Sequence, residues 1–262
     1  MTAMQNAQPS VEMPYSVMPQ LVTKSVTQSR CGECPLRKAC LPQACGAAKS
    51  EQIEHVVQHI RPVLRRKDVL FRAGDRFEAL YVIRAGSVKT VMLSENGEEQ
   101  ITGFYLPGDI IGVDGVSTGR SSTTAIALET TSVCTLPFSQ LEKLASSVPE
   151  VQRYVFQVMA KEILQDQQMM FLLSRKNAEQ RLATLLLRFS QHLQSRRLFA
   201  QAFRLSMSRN DIGNYLGLAV ETVCRVMTRF QKLDLVKVDG REITLTNIEG
   251  LQEIANAANE VH

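Results

Sequence analysis

The residues best equipped for chemistry in this sequence are cysteines. Cys31, Cys34, Cys40 and Cys45 fall within fifteen residues, and they are four of the six in the chain. The first thirty residues carry no apolar h-region of the kind an export signal needs, so a cytoplasmic chain with reduced thiols is expected and a disulfide framework is not. Gathered thiols then serve to hold a soft metal. A Cys-x2-Cys with a third cysteine after five more residues lets one loop wrap the face of a cluster, whereas a tetrahedral zinc site draws on two separate Cys-x2-Cys knuckles. The spacing favours iron and sulfur over zinc. Left uncommitted in a loose arm, the same thiols would be open to oxidation. Cys134, in Ser132-Val-Cys-Thr-Leu136, is a fifth candidate; a buried strand thiol is an equal reading of it, and Cys45 lies nearer the other three.

A second set of side chains suits nucleic acid. Glu221, Cys224, Arg225 and Thr228 stand at i, i+3, i+4 and i+7 of one helical face, while Val223, Val226, Met227 and Phe230 form the opposite, apolar face. Arginine clamps guanine O6 and N7 in a major groove, and a glutamate near a helix N-terminus accepts from a cytosine amino group. On an isolated helix the Glu/Arg spacing would be only a solvated pair. Its setting argues otherwise. Ser208 stands three residues ahead of Asp211 as in a capping box, a short helix reaches Leu216, Gly217 and Leu218 make a turn, and a longer helix runs from Val220 to Lys232. Leu235–Val238, Asp239-Gly240 and Glu242–Leu245 then read as a hairpin wing. Charge agrees: from Ser174 onward there are 13 Lys/Arg against 9 Asp/Glu, while the first 173 residues hold 17 of each.

These sites need scaffolds. Residues 1–30 lack apolar periodicity and read as a mobile arm, and Ser50 to about Leu64 has helical spacing. From Asp68 to Phe138 short β-rich runs alternate with Ala73-Gly-Asp, Ala85-Gly, Asn96-Gly97 and Pro107-Gly, the pattern of an antiparallel β-roll or jelly roll. Asn96-Gly97 is the clearest hairpin turn, because a type I′ turn needs positive φ twice. Pro149 opens a helix to about Ser174 with two apolar faces. Phe156, Met159, Ile163, Met170 and Leu173 form a heptad-like seam interrupted by Asp166, and Val151, Val155, Val158, Met169 and Leu172 are set to lie on the β-roll. Two stripes imply two partners, so the helix is expected to dimerise. No apolar run approaches the roughly 18 residues a membrane helix requires. The fold expected is α+β, with boundaries at 1–30 (arm), 31–148 (cysteine loop and β-roll), 149–174 (dimerisation helix) and 175–262 (winged helix-turn-helix).

The chain after about residue 28 resembles the oxygen-sensing fumarate-and-nitrate-reduction regulators of the cyclic-AMP-receptor superfamily. The resemblance rests on Glu99-Gln-Ile-Thr-Gly-Phe104, on Ser174-Arg-Lys-Asn-Ala-Glu179, and on Asp211-Ile-Gly-Asn-Tyr-Leu-Gly-Leu218 followed by Val220-Glu-Thr222. It implies a [4Fe-4S] cluster on Cys31, Cys34, Cys40 and Cys134, deciding for Cys134 over Cys45. It further implies a homodimer on a palindromic operator with half-sites about one helical turn apart, and RNA polymerase contacts through β-roll loops such as Glu95–Gly97. Glu221, Thr222, Cys224 and Arg225 become base readers, with Ser208 and Arg209 near the first helix; Arg209 suits a phosphate. The family pattern Glu-x-x-Ser-Arg has Cys224 at its serine, and a thiol packs well against a thymine methyl but is a poorer hydrogen-bond partner. Two other functions compete. A cyclic-nucleotide sensor is disfavoured because Gly112-Val-Asp-Gly115 lacks the acid a ribose would need and Arg120-Ser-Ser122 aligns poorly with a phosphate-binding Arg-Ser, so no nucleotide ligand is expected. An iron-sulfur enzyme is disfavoured by the lack of a phosphate-cradling glycine loop or a catalytic constellation.

Overall fold

The computed structural model describes residues 25–28, 31, 34, 36, 40–41, 50–61, 63–195 and 201–257. In chain order the first half contains β1 (Ser25–Gln28), α1 (Ser50–Val56), β2 (Gln58–Arg61), β3 (Val69–Phe71), β4 (Ala79–Ala85), β5 (Val88–Leu93), β6 (Glu99–Tyr105), β7 (Ile110–Ile111), β8 (Thr124–Ala127), β9 (Ser132–Pro137), α2 (Phe138–Ser147) and the long α3 (Pro149–Arg175). Two sheets face each other, ordered β1-β2-β9-β4-β7 and β3-β8-β5-β6, with every pairing antiparallel. This is the expected β-roll.

Strand alternation sorts its side chains into two cores. Ile83, Val88, Ile111, Ala125 and Val133 point between the sheets. Leu80, Val82, Cys134 and Leu136 point out of the opposite face of β4 and β9, where Ile53 of α1, Val57 just after it, Leu141 of α2 and Val151 of α3 cover them.

Three segments depart from the sequence reading. The helix from Ser50 stops at Val56 instead of continuing to Leu64, and residues 58–61 form a strand whose first two residues, Gln58 and His59, pair with β9, satisfying backbone groups that an edge strand would leave open. Residues 25–28 of the expected arm form β1 against β2. The α2 helix carried no recognised signal. The rest of the expected arm, and Cys45, lie outside the described residues.

The C-terminal unit comprises α4 (Ala178–Ser195), β10 (Ala202–Arg204), α5 (Arg209–Leu216), α6 (Val220–Lys232), β11 (Val236–Asp239), β12 (Glu242–Leu245) and α7 (Ile248–Asn256). The wing is a three-stranded sheet, β10-β12-β11, where a hairpin was expected. Ser208 caps α5 as its sequence suggested: its hydroxyl accepts from the Asp211 N–H at 3.0 Å and donates to Asp211 Oδ2 at 2.6 Å. The turn into α6 needs two glycines. Gly217 has φ of 62°, and a Cβ on Gly213 would lie 2.6 Å from the Leu218 carbonyl oxygen.

The two units share a core. Val91, Ile101 and Leu128 of the roll and Leu172 of α3 join the apolar cluster of the C-terminal unit, and the Phe104 ring lies 4.9 Å from that of Tyr215. Met169 and Leu172, assigned from sequence to the β-roll, belong to this shared cluster, while Val151, Val155 and Val158 do lie against the outer sheet face.

Lys89 of β5 reaches Asp211 Oδ1 at 2.7 Å across the boundary. Burial works against the charged carboxylate, but the hydrogen bonds from Lys89 and Ser208 outweigh it and hold the Asp211 carboxyl below its usual range. A depressed folded-state value means that this contribution is complete above the unfolded value of about 4 and is lost as pH falls through the folded one. Urea unfolding of wild type and Asp211→Asn should therefore differ by a constant amount from pH 7 down to about 4 and converge at lower pH. A difference independent of pH over that whole range would show that the carboxylate charge is not what Lys89 and Ser208 stabilise.

Candidate cluster site and nucleic-acid interface

The β9 alternation sends Cys134 to the outer sheet face. Above it the cysteine loop is pinned by two apolar side chains, Leu36 and Leu41, both buried. Cys31 is buried, Cys34 and Cys40 are half-buried, and the Cys34 N–H donates to the Cys31 carbonyl at 3.1 Å, closing the first turn of the loop. None of the four is in a disulfide. Burial, and then the proximity of Cys40, Cys31 and Cys34, push the Cys134 thiol up to about 12, with Arg84 acting in the opposite sense. The three loop cysteines thus all act on the one from the strand, and the structure gathers the four that the resemblance selects.

Among the described residues no three His, Cys, Asp or Glu side chains are drawn in tightly enough to grip a single metal ion. One loop and one strand together offer four thiols, the donor set that an iron-sulfur cluster takes at one thiolate per iron. Ligation has to displace the proton that burial keeps on Cys134, which a multiply charged metal group can do.

On α6 the sequence pattern is realised. Val223, Val226, Met227 and Phe230 are buried, Glu221, Cys224, Arg225 and Thr228 are exposed, and Thr222 is half-buried. Among the described residues neither Glu221 nor Arg225 makes an ion pair, so both heads are available to a partner. Thr228 instead donates to the Cys224 carbonyl at 3.0 Å. Arg209, at the start of α5, is partly buried, which lowers its guanidinium from the usual value, and it lies near enough to Cys224 for the two to interact. Ser208 uses its hydroxyl in the cap.

The α3 seam is open in the single chain. Phe156, Ile163 and Met170 are 61%, 59% and 63% exposed, Asp166 is exposed among them, and Met159 and Leu173 are half-buried. Leu164 and Phe171, which the heptad reading passed over, are 52% and 59% exposed on the same helix. Between α3 and the roll runs a groove of about 770 Å³ lined by Met92, Ile101, Met159, Ile163, Met169 and Met170. At its edge the Tyr105 hydroxyl donates to Glu162 Oε1 at 2.8 Å, and burial raises the Glu162 carboxyl despite that bond. No local pattern had marked this pair.

The loop between β7 and β8 is closed on itself. Asp114 Oδ2 accepts from the N–H and hydroxyl of Ser122 at 2.9 and 2.7 Å and from the N–H and hydroxyl of Thr123 at 2.9 and 3.1 Å. Arg120 turns away and donates to the Gly74 carbonyl at 2.7 Å.

Two family descriptions match this layout: a cyclic nucleotide-binding domain over residues 61–147 and a Crp-like helix-turn-helix domain over residues 180–254. The chain is 46% identical over 234 residues to the transcriptional activator protein Anr of Pseudomonas protegens, an alignment spanning 89% of this chain and 95% of that one. It is 39% identical over 231 residues to the fumarate and nitrate reduction regulatory protein of Escherichia coli, spanning 88% and 92%. Among solved structures, FixK2 of Bradyrhizobium japonicum superposes with a TM-score of 0.70 at 33% identity, over 78% of this chain and 99% of that one. These curated relatives are named as regulators of transcription, not as enzymes. With both units aligned in the same order over nearly the full length of such relatives, the chain belongs to the fumarate-and-nitrate-reduction type of transcription regulator within the Crp superfamily.

Proposed function

We propose that this regulator senses oxygen through one [4Fe-4S] cluster held by Cys31, Cys34, Cys40 and Cys134, and that it binds a palindromic operator as a cytoplasmic homodimer while the cluster is intact. The observation that carries the reading is the position of Cys134 among the three loop thiols, in the same apolar cluster as Val148 and Val151 at the root of α3. When bound, the cluster supplies the oxygen-labile element. The chain's own residues do the rest: side chains that pack around the thiols also seat the first turn of the helix whose far stretch carries the seam. A change in the fit of the cysteine loop is thereby felt at α3.

On DNA, α6 enters the major groove, Arg225 reads a guanine, Glu221 its neighbouring pair, Cys224 and Thr222 lie over adjacent bases, and Arg209 meets a phosphate. Activation proceeds through RNA polymerase touching roll loops such as Glu95–Gly97. The alternative, a nucleotide in the roll, is disfavoured by Asp114. Its carboxylate takes the hydrogen bonds of Ser122 and Thr123 that an anionic ligand would seek, and Arg120 faces away.

Three experiments test this reading. With each cysteine changed in turn to serine, anaerobic iron and sulfide content should collapse for positions 31, 34, 40 and 134 and stay full for position 45; a full cluster in Cys134→Ser with loss in Cys45→Ser reverses the assignment. Arg225→Ala should cost ~1–3 kcal/mol on the preferred operator and relax preference at one base pair, measured against single-base operator variants. Equal weakening on every sequence would make Arg225 a phosphate contact. In a parallel dimer the two Asp166 carboxylates approach the twofold axis, where like charges oppose association. Air-exposed Asp166→Ala should therefore sediment as a dimer under conditions where the air-exposed wild type is monomeric. A monomeric variant shows that Asp166 is not the brake.

A further inference from the structure

The sequence pattern sets the C-terminal unit apart as a separate domain, but the structure lashes it to the roll at both ends of α5. At the first turn Lys89 holds Asp211. At the last turn the Asn214 side chain lies along β6, the outermost strand of its sheet. Asn214 Oδ1 accepts the Ile101 N–H at 2.6 Å, and Nδ2 donates to the Glu99 carbonyl at 2.7 Å. Gln100 Nε2 returns a bond to the Asn214 carbonyl at 2.9 Å. A side-chain amide thus occupies an edge strand's free donor and acceptor as an added strand would, with the directionality of backbone pairing. The neighbouring Phe104–Tyr215 contact supplies attraction without fixing a direction.

Asn214 also sits at the pivot of the reading head. Gly217, which ends α5, donates its N–H to the Asn214 carbonyl, and α6 starts three residues later. We infer that Asn214 is a positioning residue for DNA recognition: by clamping α5 to β6 it sets the direction of α6 relative to the roll and α3, and so the spacing of the two reading helices in the dimer. The inference rests on the proposed binding of a palindrome by a dimer. With the clamp, the second half-site is met at high effective concentration; without it, each head still reads its own half-site but the pair is no longer held in register.

Asn214→Ala should therefore lower affinity for a palindromic duplex selected by the anaerobic wild type on the order of tenfold or more, leave affinity for a duplex with a single half-site unchanged, and narrow the penalty for moving the half-sites apart by one base pair. The salt dependence should not change, because no phosphate contact is removed. Asn214→Asp should resemble Asn214→Ala, since it keeps the acceptor for Ile101 but sets a charge against the Glu99 carbonyl. Amide exchange of Ile101, read without DNA, should accelerate in Asn214→Ala while the α6 amides stay protected. Unchanged Ile101 exchange overturns the clamp whatever the DNA result. Equal losses on single and paired half-sites, or an undiminished spacing penalty, overturn the positioning role. A wild type with no preference for two half-sites over one would instead overturn the proposed dimeric reading of DNA, with the exchange result still deciding the clamp.

Discussion

The outward-facing register of β9 is the constraint on which the rest depends. Because side chains alternate along a strand, placing Val133 between the sheets obliges Cys134 to emerge on the other face, beside Leu80, Val82 and Leu136. A one-residue slip would turn the thiol inside the roll, out of reach of the cysteine loop, and move Val133 to the face that the loop covers. The register is held on both sides, by β4 through Val82 opposite Cys134 and by β2 through His59 opposite Cys134. The second of these strands comes from the segment that joins the cysteine loop to the roll. The thiols and the strand that positions the fourth of them are therefore parts of one piece of structure.

From that face the apolar contacts continue. Cys31, Cys134, Val148 and Val151 share one cluster, Leu172 near the far end of α3 belongs to another, and the second cluster holds most of the C-terminal core. The α3 helix spans 27 residues, about 40 Å at 1.5 Å per residue, so it physically joins the cysteine face to the reading head. Arg181 reinforces the far junction. Its guanidinium donates to the carbonyls of Leu173, Lys176 and Leu216, tying the end of α3 to the end of α5.

What was legible in the sequence was local. The Ser208/Asp211 cap, the glycine turn of the helix-turn-helix and the period of α3 and α6 each declare themselves within a few residues and appear where expected. The hairpin at Asn96-Gly97 is also there, but only Gly97 has positive φ, at 77°, and the loop closes from the Gly97 N–H to the Ser94 carbonyl and from the Ser94 N–H to the Glu98 carbonyl, so it is longer than the two-residue type I′ turn the sequence suggested. Features set by distant backbone were not legible. Residues 58–61 become a strand because β9 on one side and β1 on the other offer backbone to pair with, which no helical period can register. The Ile101–Asn214 hydrogen bond spans 113 positions and Ser87–Ser206 spans 119, so the union of the two units had no local signature. The cysteines fall between these cases: spacing marked three of them as a metal loop, but only the resemblance chose Cys134, because strand alternation shows which way a thiol points and not what waits on that side.

The energetics of the proposed dimer explain why such a seam can serve as a switch. Fully burying a large apolar side chain contributes roughly 1.5–3 kcal/mol, and Phe156, Ile163 and Met170, already partly covered by their own helix, contribute less than that maximum in each copy. Against this stands an association cost of about 4–15 kcal/mol before side-chain ordering is counted. The two Asp166 carboxylates subtract further from the apolar gain. A seam this weak leaves association sensitive to the packing of α3, and moving a two-state population from one hundredth to ninety-nine hundredths takes only about 5.5 kcal/mol. A leucine or isoleucine in place of Asp166 would deepen the seam but hold the dimer together whatever the state of the cysteine face. In the proposed dimer, the carboxylate in the middle of an apolar stripe would be the feature that keeps the helix responsive to what happens at its root.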